Sequence, residues 1–221
     1  MTDRSLSVPG SDAIAARATA AGVTLSESGA TALEAHARAV LAANDRLHLT
    51  AITDPGEFLE RHLGEAFEGA ALLPAGITGS LVDLGSGNGY PGIPLAVARP
   101  GLVPFLVERS IKKAAFLREA LALTGLGAGG VIERSVERAS DLAEVETVRV
   151  LTARAMGGWE RIVPKLRSSL ASEAVVLIWG GDEAPSVFAR KAWSPFELES
   201  VARLPGRQRS NVFALRARGP S

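Results

Sequence analysis

The chain has 221 residues, 47% apolar and 22% charged, enough for one α/β unit with an extension and a sizeable core. It has no cysteine, which excludes disulfides, thiolate metal sites and a cysteine nucleophile, and its three histidines are too scattered to suggest zinc. The 24 basic residues balance the 24 acidic ones, so bulk charge gives no argument for nucleic acid and any basic surface must be local.

In chain order, the opening Met1-Thr-Asp-Arg-Ser5 has no apolar core of signal-peptide length. No later segment reaches membrane-spanning length, so a cytosolic protein without a membrane partner is expected. Residues 13–21 read as an alanine-rich helix stopped by Gly22, and residues 26–47 place Leu33, Ala37, Val40 and Leu41 at helical spacing. Asp54-Pro-Gly-Glu57 supplies a capping acid, a proline at the first helical position and a glutamate three residues past the cap. The helix it opens carries Phe58, Leu59, His62, Leu63 and Ala66 on one face and stops near Pro74. His62 on that stripe reads first as a core histidine, and its neighbour Arg61 should point to a different face. From Leu81 the pattern alternates, with strands at 81–84, 103–108, 130–133, 148–153 and 174–179. Helices of ten to fifteen residues, starting near Gly92, Ser110, Ser135 and Gly158, would cover both faces of a parallel sheet. Segments 196–204 and 212–216 read as a terminal hairpin around Pro205-Gly206. This divides the chain into a helical extension, 1–75, packed on an α/β domain, 76–221.

The segment Leu81-Val-Asp-Leu-Gly-Ser-Gly-Asn-Gly-Tyr-Pro-Gly92 ends a strand in an acid and glycines at alternate positions, Gly85, Gly87 and Gly89. Glycine takes positive φ at little cost and has no Cβ to hold a ligand away, so such a turn can bring several N–H groups to a bound nucleoside. The spacing fits a dinucleotide dehydrogenase poorly. D-x-G-x-G-x-G resembles instead the first motif of the S-adenosylmethionine-dependent methyltransferases. Glu108, about twenty residues on, stands where such sheets place a carboxylate for ribose hydroxyls; the plain alternative is a surface acid at a strand end. Asp83 either orients the loop or faces a cationic cofactor through water, or it caps loop N–H groups with its carboxylate. Tyr90 packs over a ligand or fills a gap.

A more specific resemblance follows. Gly85-Ser-Gly-Asn-Gly-Tyr-Pro-Gly-Ile-Pro-Leu95 is similar to the signature of the glucose-inhibited division protein B family. Asn44-Asp-Arg-Leu-His-Leu-Thr50, Asp54 to His62, Lys112-Lys113-Ala-Ala-Phe116-Leu117-Arg118 and Val150-Leu-Thr-Ala-Arg154-Ala155 agree with it in order, so that the likeness covers roughly residues 40 to 180. It implies a Rossmann-like methyltransferase sheet, mostly parallel with a C-terminal hairpin, under an N-terminal helical cap. It also implies methyl transfer from S-adenosylmethionine to N7 of a guanine in 16S ribosomal RNA, within a small subunit or an assembly intermediate, by a monomer without metal. By the same resemblance Gly85, Tyr90 and the pair Val136-Glu137 contact the cofactor, and Arg154 is the active-site arginine. Three departures stand out. His48 replaces an asparagine, Ser135 preceded by Arg134 replaces an arginine, and Trp179 replaces a lysine that could contact RNA. A tryptophan there could stack on a base. The hairpin loop Arg207-Gln-Arg209 is only loosely matched.

Guanine N7 carries its own lone pair, so transfer needs positioning and no general base. Arg154 and Asp83 are the catalytic candidates, with the Asp83 carboxylate expected to stabilise the product cation. RNA contact is expected from Lys112, Lys113 and Arg118 on one helix, from Arg154, Arg161 and Lys165, and from Arg203, Arg207 and Arg209 at the hairpin. Each such cluster is by itself more often a solvated face. Two other readings fit the same sheet: a small-molecule methyltransferase, and a non-catalytic cofactor-binding ribosome-assembly factor.

Overall fold

The structure, a computed structural model, describes residues 7–207 and 209–219. The segment weighed above for a leader, Gln208 of the hairpin loop and the last two residues lie outside the described residues. The chain enters through α1 (Ser11–Ala20) and α2 (Glu27–Leu47), the latter capped by Ser26, whose hydroxyl accepts the Gly29 N–H. Helix α2 ends in His48 at φ 49°, the left-handed region in which asparagine is comfortable. His48 is exposed, so its departure from asparagine bears on a helix end. Asn44 ties down the turn that follows. Its Oδ1 accepts the N–H groups of Leu49 and Thr50 at 2.8 and 2.9 Å, and its Nδ2 donates to the Thr50 carbonyl at 2.9 Å.

Asp54 caps the next helix as expected, accepting the Glu57 N–H at 2.8 Å with Pro55 in the first turn. The Glu57 carboxylate turns instead to Arg61, at 2.6 Å. The helix is not uniform: α3 (Pro55–Phe58) passes through a π-helical stretch, Leu59–Gly64, into α4 (Glu65–Ala71). As expected, the Arg61 and His62 side chains point to different faces, and the wider turn adds a backbone contact from Arg61. The Arg61 carbonyl and the His62 ring both reach Arg154, while the Arg61 side chain stays outside with Glu57.

The strands are β1 (Gly79–Leu84), β2 (Leu102–Val107), β3 (Gly130–Ile132), β4 (Val148–Ala153), β5 (Leu170–Gly181), β6 (Phe196–Arg203) and β7 (Ser210–Ala217). They form one sheet in the order β3-β2-β1-β4-β5-β7-β6, parallel except for β7. Helices α5 (Gly92–Ala98) and α6 (Ile111–Leu123) share one face with α1–α4, in a buried cluster that includes Ile14, Leu33, Phe58, Leu81, Val150 and Leu177. The cap and the sheet therefore have one core. The other face buries Val82, Leu151, Val176, Trp193 and Phe213 under short helical turns, α7 (Trp159–Ile162) and α8 (Ala184–Phe188) among them.

Four expectations need correcting. Only α6, with 13 residues, has the helix length anticipated between strands. No α-helix starts near Ser135: the Asp141 carboxylate takes the N–H groups of Glu137 and Arg138 at 2.9 and 3.1 Å, closing a 3₁₀ turn, Ala139–Leu142. Helix α7 is a single turn that passes into a 3₁₀ stretch, Val163–Ser169, at Pro164, which has no N–H for an α-helical ladder. Trp179, 7% exposed, does not present a stacking face to solvent. Its Nε1 donates to the Glu65 carbonyl at 3.1 Å and its ring lies over Gly69, sealing β5 against α4.

Candidate active site

The strand order reverses between β1 and β4, and open α/β sheets bind ligands outside the carboxyl ends of strands at such a switch point. The loop leaving β1 there has Gly85, Gly87 and Gly89 at φ 68°, 54° and 88°. A Cβ on Gly89 would stand 2.7 Å from Ile93 Cδ1 and 3.0 Å from His36 Nε2, so the loop could not pack against the cap with any other residue. A cleft of about 670 Å³ opens beside this loop, a size suited to a small ligand. Gly85, Glu108, Lys113, Val136, Glu137 and Met156 are among the residues lining it.

Glu108 is held at the cleft by two backbone donors, the Gly87 N–H to Oε2 at 3.2 Å and the Ser110 N–H to Oε1 at 2.7 Å. A carboxylate has about four acceptor positions, so lone pairs remain for ligand hydroxyls. Val136 is buried and Glu137 exposed. Ser135 and Arg134 both line the cleft, and Arg134 pairs with Glu144 at 2.7 Å.

The other expected residues form a second layer behind the cleft, between sheet and cap. Asp83 is 1% exposed; its Oδ1 accepts from Thr152 Oγ1 at 2.6 Å and its Oδ2 from the Gly92 N–H at 3.3 Å. Its carboxylate thus takes the N–H at the end of the glycine-rich loop. Burial pushes its carboxyl up to about 6, against the opposing pull of Thr152, Ser86, the Gly92 N–H and Arg154. Tyr90 fills space: its ring is stacked between His36 and His62, with centroids 4.7 and 4.9 Å away. Burial raises its phenol above the usual range. His36 donates from Nε2 to the Asn88 carbonyl at 2.9 Å, and burial lowers its pKa to about 4.

Arg154 leaves the end of β4 and joins three parts of the cap. One terminal nitrogen donates to Glu65 Oε2 at 2.9 Å and to the Arg61 carbonyl, and the other faces His62 Nδ1 at 3.5 Å. That contact makes Nδ1 the acceptor and leaves Nε2–H to donate to Thr50 Oγ1 at 2.8 Å, so the geometry fits a neutral ring. Burial, then the positive charge of Arg154, lowers the His62 pKa to about 3. Glu65, 3% exposed, also receives Arg207 Nε at 3.0 Å from the hairpin.

The basic candidates do not share one surface. Lys113 lines the cleft; Lys112 faces a groove between α2 and α6; Arg118 pairs with Glu133 at 2.8 Å. Arg161 lines the cleft, and Lys165, Arg203 and Arg209 are exposed. Glu65, His36 and Asn88 were missed. An acid on the apolar stripe of one helix and a histidine on the buried stripe of another were the available signals. Among the described residues there is no group of three or more His, Cys, Asp or Glu side chains that could hold a metal. None of their helices is long and apolar enough to cross a membrane.

A seven-stranded sheet of this order with a glycine-rich loop at the switch point is the Rossmann-like fold of methyltransferases. Solved structures share the fold. The fibrillarin pre-rRNA processing protein of Methanococcus jannaschii superposes with a TM-score of 0.57 at 15% identity, covering 67% of this chain and 70% of its own. A ribosomal protein L11 methylase of Lactobacillus delbrueckii gives 0.55 at 18%, over 71% and 78%. Residues 30–194 match the GidB family, rRNA small subunit methyltransferase G, and the chain belongs to that family. It is 37% identical over 186 residues to ribosomal RNA small subunit methyltransferase G of Sorangium cellulosum, covering 82% of this chain and 77% of that one. With the protein of the same name from Stenotrophomonas maltophilia it is 50% identical over 113 residues, which are 51% of this chain and 50% of the other.

Proposed function

We propose that this protein transfers the methyl group of S-adenosylmethionine to N7 of a guanine in 16S ribosomal RNA. The carrying observation is the family match over residues 30–194, which spans both walls of the cleft. The cleft suits the cofactor chemically. Glu108 has acceptor positions left for ribose hydroxyls, the Gly85 to Gly89 loop brings backbone close, and Val136 offers an apolar wall opposite. Glu137 and Lys113 add polar groups at the rim.

When bound, the cofactor supplies an already activated methyl group, so the protein's task is alignment and exclusion of water. Alignment of this kind lowers a barrier by roughly 7–11 kcal/mol. Asp83 serves it by fixing the end of β1 to β4 through Thr152 and to α5 through Gly92. Arg154 serves it by locking the end of β4 to the cap. Both act on the cleft through the backbone they hold. Glu108 and the glycine loop hold the cofactor; Lys113, Arg161, Arg207 and Arg209 face the RNA.

The test is transfer of labelled methyl from S-adenosylmethionine to small subunits from a strain lacking this protein, with bare RNA assayed alongside and the modified base mapped. Label at one N7-guanine of 16S RNA is the expected result. Cofactor binding without transfer to any ribosomal substrate would refute the assignment.

A further inference from the structure

The charges behind the cleft meet at one buried carboxylate. Glu65 faces two guanidinium groups, Arg154 on Oε2 and Arg207 on Oε1, at 2.9 and 3.0 Å. Asp83, held by Thr152 and the Gly92 N–H, adds its pull on Arg154, whereas Arg61 is paired with Glu57 and the hydrogen bonds of His62 suit a neutral ring. The two arginines are not equivalent. Arg154 is 12% exposed and its fork is engaged by Glu65, the Arg61 carbonyl and His62. Arg207 is 32% exposed, and its Nε contact with Glu65 leaves the outer fork towards solvent.

We propose that Glu65 is a positioning residue for RNA recognition: its buried carboxylate anchors Arg207 of the β6–β7 hairpin so that this arginine's outer nitrogens receive a phosphate of the RNA. This rests on the function proposed above and deepens it. A guanidinium gripped at Nε retains the planar pair of donors that matches phosphate oxygens. Prior immobilisation spares the entropy cost of ordering a long side chain when RNA binds. The same carboxylate carries the arginine at the end of β4, so the RNA contact and the cleft wall share one rigid anchor.

The experiment compares wild type, Glu65→Gln, Arg207→Gln and the double variant. It measures S-adenosylmethionine affinity, kcat and KM for small ribosomal subunits, and the salt dependence of subunit binding. Arg207→Gln should raise KM about ten-fold with kcat and cofactor affinity unchanged. It should also reduce the slope of log affinity against log salt by about 0.7 to 0.9, the signature of one lost phosphate contact. Glu65→Gln should likewise raise KM, and should also lower kcat because Arg154 loses the same anchor, while the double variant should add little to the KM of either single one. Because Arg207 lies on a hairpin loop, its variant remains informative if Glu65→Gln folds poorly. An unchanged KM and salt slope in Arg207→Gln overturns the proposal, whatever happens to stability. So does a double variant whose losses in KM add. A wild-type control that binds cofactor but transfers no methyl to subunits removes the underlying function and the proposal together.

Discussion

Glu108 shows how much one side chain can carry. Its two oxygens accept backbone N–H groups from Gly87, in the loop after β1, and from Ser110, at the start of α6. Replacing it by glutamine turns one acceptor into a donor that faces an N–H, and removes the charge that strengthens both bonds. Glu108→Gln should weaken S-adenosylmethionine binding about 10- to 100-fold, the equivalent of roughly 1.5–3 kcal/mol in lost charged hydrogen bonding. Titration calorimetry on the variant measures this directly, and an affinity within two-fold of wild type would show that the carboxylate is not a cofactor ligand. This position was legible in the sequence because its meaning is local: an acid at a strand end, a fixed distance after a glycine-rich turn. Asp83 and Tyr90 were legible only as pairs of alternatives. What separates a capping carboxylate from a ligand-facing one is the hydroxyl of Thr152, 69 residues away.

Among the elements, the helix that changes register was harder to read than the strands. The strands fell within a few residues of expectation, since apolar runs broken by turn residues mark them directly. The π-helical stretch has no comparable signature, because it is a shift in hydrogen-bond register that the Arg154 contacts help to hold. It is also braced from outside by Arg17 of α1, which reaches Glu60 and Glu68 at 2.9 Å each. The packing of α4 on β5 is a large-against-small pair, Trp179 over Gly69. A Cβ at Gly69 would come within 2.5 Å of Trp179 Cζ2, at the stiff end of an indole that is hydrogen-bonded to Glu65. Gly69→Ala should therefore destabilise the fold by about 1–3 kcal/mol despite its better helix propensity. Adding Trp179→Phe removes the colliding atoms, so the double variant should cost less than the sum of the singles by at least about 0.5 kcal/mol. Urea denaturation of the three variants gives the cycle, and additive costs would mean that the helix shifts freely over the tryptophan.

At the scale of the whole molecule, the fold buries ionisable groups whose effects on stability oppose one another. His36 and His62 have folded pKa values of about 4 and about 3, below the ordinary 6.5, because burial disfavours the cation. Their stabilisation is present above about 6.5 and is lost as pH falls towards those folded values, since the unfolded chain takes up the protons first. Asp83 has the opposite sign. Its folded pKa of about 6 exceeds the ordinary 3.8, so its contribution is present below about 4 and is lost as pH rises through about 6. Between about pH 4 and 6 the unfolded chain therefore binds two more protons at the histidines and one fewer at the aspartate, a net of one. These three groups should make stability fall by about 1.4 kcal/mol per pH unit on acidification through that window. Asp83→Asn removes the opposing term and should steepen the slope by about 1.4 kcal/mol per unit, whereas His62→Gln should flatten it by a similar amount. Denaturation midpoints at pH 4.5, 5.0, 5.5 and 6.0 for the wild type and each variant separate these terms from the surface carboxylates, which all three proteins share. Parallel pH profiles would mean that the layer between cap and sheet admits water and titrates as it does in the unfolded chain.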